Sequence, residues 1–177
     1  LSLYQAEVTG KPLALPMPRP FVDYIDWLQQ QDMAQAERFW REQLGGFTET
    51  TPLGASKPTA TGQANYQTQH LLLSPEQTQQ LRSFAQQHRL TLNTLLQGAW
   101  AVLLARYGAG DDVVFGGIVS GRPATLPGVE AMVGMFTNTV PVRIKLEPTA
   151  SVLAWLQTLQ QQQLDREQYA HCSLVDI

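Results

Sequence analysis

Three histidines and one cysteine are the side chains in this chain that most readily act as bases or nucleophiles. His70, His88 and His171 fit neither a nucleophile spacing nor an HExxH metal motif. Cys172 directly follows His171, and adjacent residues usually point apart, which disfavours a reactive thiolate pair. We therefore predict no catalytic residue within these 177 residues.

Two further groups of residues could bind ions or phosphate. Asp111 and Asp112 have no third carboxylate at ligand spacing, and aspartate is common in the turn before a strand. The glycines between Phe115 and Gly121 do not open a helix, as a phosphate-binding loop would require, because Pro123 follows them. The sequence thus predicts neither a metal site nor a phosphate-binding loop.

The segment 115–143 is dense in small, polar and turn-forming residues. Apolar stretches that are typical of strands flank it, and it contains Ser120, Arg122 and the pair Asn138-Thr139. Loops of this composition at strand ends form the rim of many binding sites in α/β proteins. We therefore expect this segment to take part in binding.

The bulk composition excludes several classes of protein. The chain is 44% hydrophobic and 15% charged, which suits one domain, or one lobe of a larger domain, with a real core. The net charge is −3 and the 12 basic residues form no block, so we expect no nucleic-acid partner. No apolar stretch reaches about 20 residues and no signal-peptide pattern is present, so we expect no membrane partner. The single cysteine excludes an internal disulfide and suits a cytoplasmic protein.

The order of apolar residues predicts helices separated by few strands. The predicted helices are 1–8, 22–30, 33–44, 75–88, 92–107 and 151–168, and the predicted strands are 66–73, 112–119 and 138–146. Prolines between 12 and 20 predict an extended connector. Ser74 is the expected N-cap of a capping box with Gln77. The helix after Thr91 is apolar on most faces, so we expect it to be central, and the glutamines 160–163 are interpreted as a solvated helix face. The predicted fold class is α/β in the mixed α+β sense.

Several motifs, in order along the chain, resemble those of the condensation domains of nonribosomal peptide synthetases. Residues 21–27 are similar to the family's aromatic-x-Asp-Tyr-x-x-Trp motif, and residues 39–46 to the yWxxxLxG motif that follows it. Residues 91–107 resemble the family's central helix. Residues 115–123 match FGxxVSGRP, and residues 134–143 match GxFxNTxPxR. The similarity covers essentially the whole chain.

The resemblance implies a chloramphenicol-acetyltransferase-like lobe, with a mixed sheet flanked by helices. In the family, two such lobes form a V, and the reaction tunnel lies between them. The active-site motif HHxxxDG is expected upstream of Leu1, and this sequence contains no adjacent histidine pair. We therefore expect a partial condensation domain, truncated at both ends. Residues 1–20 would be a helix end and inter-lobe connector, and residues 21–177 would be mostly second lobe.

The resemblance also implies the activity and the partners. Condensation domains form an amide between a donor acyl or peptidyl group and an acceptor aminoacyl group, both carried as thioesters on phosphopantetheine arms. The implied partners are donor and acceptor peptidyl carrier domains, an adjacent adenylation domain and the missing N-terminal lobe. Carrier proteins deliver the phosphopantetheine, so no cofactor or metal is expected to bind the chain directly. These residues alone are expected to be inactive.

Six residues of the loop and its flanking strand are assigned to the substrate tunnel by resemblance. They are Ser120, Gly121, Arg122, Asn138, Thr139 and Arg143. Either arginine is expected to pair with the aspartate of HHxxxDG, because a buried carboxylate needs a cation or several donors. An epimerization domain of the same superfamily and a non-catalytic, condensation-like recruitment domain are the alternatives, and a cyclization domain fits residues 138–139 less well.

Overall fold

The structure is a computed structural model, and it describes residues 2–10, 17–48, 50–51, 68–108 and 110–177. Its elements are α1 (Ser2–Thr9), α2 (Val22–Gln29), α3 (Met33–Leu44), α4 (Pro75–Gln87), α5 (Leu92–Tyr107), β1 (Asp112–Val119), a short 3₁₀ helix (Val129–Ala131), β2 (Asn138–Lys145) and α6 (Val152–Glu167). The chain divides into two compact units. The loop unit comprises Leu1–Asp32 and Ser120–Thr137, and the sheet unit comprises Met33–Val119 and Asn138–Ile177.

The sheet unit is built on an antiparallel pair of strands rich in valine and isoleucine. β1 pairs with β2 in a register that places Asp112 opposite Lys145 and Val119 opposite Asn138. Inward-facing residues of both strands join residues of α5 and α6 in one core. Its largest fully buried side chain is that of Ile144. Burial of these apolar side chains is the main force that holds helices and strands together.

Helix α5 is the hub of the sheet unit, as the sequence predicts. It contacts α4, α6 and β1. Its N-cap Thr91 accepts a hydrogen bond from the Thr94 backbone, and the buried Thr94 hydroxyl donates to Oε1 of Gln160 on α6 at 2.6 Å. Its opposite face is exposed, including Leu96 and Trp100. Helix α5 therefore has more apolar side chains than the described residues bury.

The glutamines of α6 correct the interpretation of residues 160–163 as a solvated face. Gln160 accepts hydrogen bonds from the backbone of Thr91 and the hydroxyl of Thr94. Oε1 of Gln162 is buried. The sequence pattern is misleading because a run of four identical residues covers a full helical turn, so some members must face the core.

The start of α4 confirms the predicted capping box. The Ser74 hydroxyl accepts from the Gln77 backbone at 3.2 Å, and the Gln77 side chain accepts from the Ser74 backbone at 2.9 Å. These reciprocal bonds satisfy two backbone donors at the helix start. His88 is the C-cap of the same helix, as expected of a histidine at a helix end.

The predicted strand 66–73 is wrong over the part that the structure describes. Residues 68–73 form neither helix nor strand, and residues 66–67 lie outside the described ranges. Leu71 and Leu72 are 89% and 91% exposed. A strand requires a partner for its backbone groups, and in the described residues β1 and β2 pair with each other alone. His70 therefore does not lie in a strand.

The connector and the domain boundaries complete the fold. Residues 11–16 of the predicted connector lie outside the described ranges, and residues 17–20 form neither helix nor strand. The division into lobes at residue 20 stays a prediction, because it refers to a complete condensation domain. Among the described helices, none is long and apolar enough to cross a membrane.

Candidate functional site

Arg122 closes the loop that follows β1 in the chain. Its guanidinium donates hydrogen bonds to the carbonyl oxygens of Val129 and Met132, the second at 3.2 Å. The guanidinium carbon lies 3.9 Å from the ring centroid of Phe136, within the range of a cation–π contact. Val129 begins the 3₁₀ helix and Met132 follows it. One planar side chain thus connects both ends of that helix and the aromatic ring beyond it.

Gly121 allows this loop to form, and a side chain at this position would prevent it. The residue has a φ of 63°, in the left-handed region that favours glycine. A Cβ atom built on its backbone would overlap the carbonyl oxygen of Phe136. Gly134 has a different requirement, because a Cβ there would overlap the ring of Phe21. Gly121 is therefore needed for its backbone conformation, whereas Gly134 provides room for a ring.

An aromatic cluster forms the core beneath the loop. The Phe136 ring lies edge-on to Phe21 at a centroid distance of 5.1 Å and 4.7 Å from the ring of Tyr24. Burial raises the pKa of the Tyr24 hydroxyl. Arg19 adds a polar connection, because it pairs with Asp23 and donates to the Pro127 carbonyl at 2.9 Å. The aromatic motif at residues 21–27 therefore supports the loop from within the loop unit.

Several residues of the loop unit present side chains to solvent, and three of them lie near Gly121 or Gly134 in sequence. Ser120, immediately before Gly121, is exposed. Val133 and Met135 are 81% and 84% exposed. A hydroxyl and two large apolar side chains on a fixed loop could contact a ligand that has both polar and apolar parts.

Asn138 fixes the start of β2 in the sheet unit. Its side-chain amide donates to the carbonyl oxygens of Ala170 and Cys172 at 2.9 and 2.6 Å. Its Oδ1 accepts from the Thr139 backbone at 2.9 Å. Asn138 therefore ties the strand to the turn after α6, and its side-chain amide is engaged within the protein. Thr139 lies opposite Ile118 of β1, whose side chain is 79% exposed.

Arg143 is the centre of a polar cluster near the other end of β2. Its Nε and Nη2 donate to the Asp112 carboxylate at 2.9 and 2.7 Å. Its Nη1 donates to the carbonyl oxygens of Gln43 and Gly45 at 3.0 and 2.7 Å. The Arg143 side chain is only 9% exposed, so this charge is well paired and largely shielded from water. Arg143 thus connects α3 and the turn after it to the β1–β2 pair.

The six predicted residues are divided between the two units. Ser120, Gly121 and Arg122 belong to the loop unit, whereas Asn138, Thr139 and Arg143 belong to the sheet unit. Arg143 is five residues from Asn138 along an extended strand, a separation of about 17 Å. The structure therefore does not bring Arg143 together with Asn138. The pairing of either arginine with the HHxxxDG aspartate stays a prediction.

Asp112 is a partner that sequence reasoning missed. Its position in the sequence predicts only a turn before a strand. In the observed register, Lys145 is opposite Asp112 and Arg143 is two residues away, so both charges lie on one face of the pair. The sequence does contain opposite charges on the two predicted strands, Asp112 and Arg143. These residues can be recognised as a pair only once the alignment of the two strands is known.

The neighbouring residues His171 and Cys172 are unsuited to form a nucleophile pair. Burial raises the pKa of the Cys172 thiol and lowers the pKa of His171. A thiolate–imidazolium pair requires both shifts in the opposite direction. Within the described residues, no group of three or more His, Cys, Asp or Glu side chains could hold a metal ion.

An open cleft of about 710 Å³ lies elsewhere in the sheet unit. Its described lining includes Phe47, Thr51, Asp111 and Asp112. None of the six predicted tunnel residues is among its described lining residues. The cleft and the predicted site are therefore different surfaces.

Comparison with known proteins identifies the family. The model of the condensation domain matches residues 1–177. The chain belongs to the condensation-domain family of nonribosomal peptide synthetases. It is 51% identical over 177 residues to a linear gramicidin synthase of Brevibacillus parabrevis, covering 98% of this chain and 4% of that protein. It is 40% identical over 177 residues to surfactin synthase subunit 3 of Bacillus subtilis (strain 168), covering 99% of this chain and 14% of that protein. The resemblance seen in the motifs is confirmed.

Solved structures confirm the fold class. The first condensation domain of the CDA synthetase matches with a TM-score of 0.79 at 17% identity, over 99% of this chain and 39% of that one. The X-domain from teicoplanin biosynthesis matches with a TM-score of 0.68 at 26% identity, over 98% of this chain and 40% of that one. This chain therefore spans about two fifths of each of these two solved chains. It spans only a small part of each synthetase protein.

Replacing Gly121 should disrupt the loop unit far more than replacing a glycine that has space around it. Gly121→Ala combines a left-handed φ with overlap of the Phe136 carbonyl, so we expect a loss above about 3 kcal/mol in the free energy of unfolding. Gly128 has a φ of 78° but its Cβ would make only an ordinary contact, so Gly128→Ala should cost about 1–2 kcal/mol. Urea denaturation measures both, and equal losses would contradict the assigned role of Gly121.

The Asp112–Arg143 pair should make stability depend on pH in acid. Hydrogen bonds from Arg143 lower the pKa of Asp112 from its ordinary value of 3.8. A carboxyl with a lowered folded pKa adds stability above its unfolded pKa, and this contribution is lost as pH falls through the folded pKa. Between about pH 5 and about pH 2, Asp112→Asn should therefore lose less stability than the unmodified protein.

The exposed neighbour Asp111 provides the matched control for this pH dependence. Asp111→Asn makes the same change of side chain next to the pair and is compared in the same urea titrations. If Asp112→Asn shows the same acid slope as Asp111→Asn, the pair contributes nothing and the role assigned to Arg143 is wrong.

Proposed function

We propose that this chain is part of a condensation domain that forms an amide bond between two carrier-bound substrates. The donor is an acyl or peptidyl thioester and the acceptor is an aminoacyl thioester, each on a phosphopantetheine arm. The observation that carries the proposal is the family match over residues 1–177, together with the two loop motifs in their expected order. The chain itself holds no cofactor in this proposal, because the carrier domains bring the phosphopantetheine.

The reaction exchanges a thioester for an amide. The acceptor amine attacks the donor carbonyl carbon, a C–N bond forms and the C–S bond breaks. The amine loses a proton, and the donor arm leaves as a free thiol. A histidine of HHxxxDG would orient or deprotonate the amine. No adjacent histidine pair occurs in this sequence, so that residue would come from polypeptide outside it, and these 177 residues alone would be inactive.

The loop unit would contribute a wall of the substrate tunnel. Arg122 holds the loop through two carbonyl oxygens and a ring, which leaves its shape fixed before substrates arrive. Preorganised surroundings lower the entropic cost of aligning two reactants. Contact with an acyl or peptidyl group would be made by exposed side chains of this loop, which include Ser120, Val133 and Met135.

The residues of β2 would mainly hold the scaffold of the site in place and would not react with substrate. Asn138 uses its amide to hold the turn after α6, and Thr139 follows it in the strand. Gly121 would serve through its backbone conformation. Arg143 would brace the sheet unit through Asp112 and contact no substrate. This proposal keeps five residues near the tunnel and moves Arg143 away from it.

The partners follow from the same proposal. Donor and acceptor peptidyl carrier domains would present their arms, an adenylation domain would lie next in the synthetase, and an N-terminal lobe would complete the tunnel. Membership of the family of large synthetases supports these partners.

A second candidate is a non-catalytic, condensation-like recruitment domain. The absence of an adjacent histidine pair from this sequence keeps that candidate open. An epimerization domain of the same superfamily stays open as a third candidate. Turnover of defined substrates separates these three, since amide formation, inversion at the donor α-carbon and carrier binding without reaction are different outcomes.

A bulky substitution at Ser120 should obstruct the tunnel without unfolding the protein. In the complete condensation domain, Ser120→Phe should slow single-turnover amide formation about tenfold or more, because a small displacement of bound substrate is costly to rate. Thr125→Phe, at an exposed position of the same loop, is the matched control and should react like the unmodified domain. Equal rates for the two folded variants would remove Ser120 from the tunnel.

A further inference from the structure

Gly116 and Ile118 break the usual pattern of a strand pair that has one buried face. One face of β1 and β2 carries Val113, Val140 and Ile144, whose side chains are fully buried. On the other face of such an antiparallel pair, polar side chains are usual. Ile118 is instead a large apolar side chain that is 79% exposed. Gly116, two residues earlier on the same face, is exposed and has no side chain.

Both residues lie beside Thr139, which is one of the predicted tunnel residues. Thr139 is opposite Ile118 in the register of the strand pair, so their side chains share one face. A Cβ atom built on Gly116 would lie 3.1 Å from Cγ2 of Thr139. The missing side chain of Gly116 therefore leaves a space that is bordered by the Thr139 methyl group. Ile118 is the next residue of β1 on that face.

The part of this face around Gly116 and Ile118 is uncharged. Neither residue is charged, nor is the residue opposite it, and Asp112 and Arg143 form their ion pair towards the other end of the strands. A single exposed isoleucine is ordinary on a protein surface. A glycine within a strand packs no side chain, and it often marks the close approach of another molecule. The two together form an uncharged space beside an apolar wall, which favours an apolar group over a charged one.

We propose that Gly116 and Ile118 select for a large apolar amino-acid side chain on one of the two carrier-bound substrates. The inference rests on the proposed function, in which Thr139 lies near the substrate tunnel. The substrate side chain would occupy the space at Gly116 and contact the side chains of Ile118 and Thr139. Gly116 and Ile118 would not react with substrate, because they act through the shape and polarity of the wall that they form.

The apolar side chain can belong to the donor residue or to the acceptor residue, and two sets of reactions distinguish them. Both use the complete condensation domain with loaded carriers, and both measure amide formation in a single turnover. In the first set the donor is fixed and the acceptor is leucyl or alanyl. In the second set the acceptor is fixed and the donor is leucyl or alanyl. We expect the unmodified domain to react faster with leucyl than with alanyl in one of the two sets.

Two substitutions change the wall in different ways. Gly116→Ala places a methyl group in the space, and Ile118→Ala removes most of the apolar wall. Each should lower the ratio of leucyl to alanyl rates about tenfold or more, in that same set, because one methylene in an apolar pocket changes discrimination by this amount. Gly110→Ala and Val152→Ala are the matched controls at exposed positions of the sheet unit, and they should keep the ratio of the unmodified domain. At Gly110 a Cβ atom would meet no described atom within 4 Å.

The outcomes separate this inference from the proposed function. Unchanged ratios in the folded variants, or changes in different sets of reactions, would overturn the inference. An unmodified domain that forms the amide with no preference in either set would also overturn it, while the proposed function would stand. An unmodified domain that forms no amide from any pair would overturn the proposed function, and the inference with it. Ile118→Ala changes an exposed side chain, so it decides the question even where Gly116→Ala fails to fold.

Discussion

The contact between the Arg122 guanidinium and the carbonyl oxygens of Val129 and Met132 is the constraint on which the loop unit depends. It joins the two ends of the 3₁₀ helix, and the Phe136 ring completes the enclosure of the guanidinium. The same loop leaves no space for a side chain at Gly121. A planar donor group with several fixed N–H bonds suits this task better than the single ammonium of lysine. Packing thus accounts for Gly121 and Arg122 of the family motif FGxxVSGRP.

The sheet unit solves a related problem at the two ends of its strand pair. Asn138 joins the start of β2 to the turn after α6, while Arg143 joins its far end to α3 through two carbonyl oxygens and Asp112. Both side chains donate hydrogen bonds to backbone carbonyl oxygens at turns and helix ends, where backbone partners are lacking. A two-stranded sheet is marginal alone, and these polar connections together with the α5–α6 core give it fixed ends. Residues of the NTVPVR motif therefore act through the scaffold at both ends of the strand.

Local signals in the sequence predicted much of this fold, because they act over a few residues. The Ser74 capping box, the N-cap of α5 and the two strands all form where their patterns predict them. Features that depend on distant residues could not be predicted in the same way. Residues 68–73 form no strand, the outer face of α5 stays exposed, and the Asp112–Arg143 pair requires the register. The loop motifs indicated the family, but only coordinates distinguished Arg122, which holds the loop, from Arg143, which braces the sheet.

Single-turnover amide formation by the complete condensation domain, with loaded donor and acceptor carriers, tests the central claim most directly. We predict that the unmodified domain forms the amide and that a folded Arg122→Ala variant forms little, because its loop no longer has a fixed shape. These 177 residues alone should form none. A folded, unmodified domain that binds both carriers and forms no amide would contradict the proposed function and favour the recruitment function. An Arg122→Ala variant with the full rate would show that the loop does not shape the reaction site.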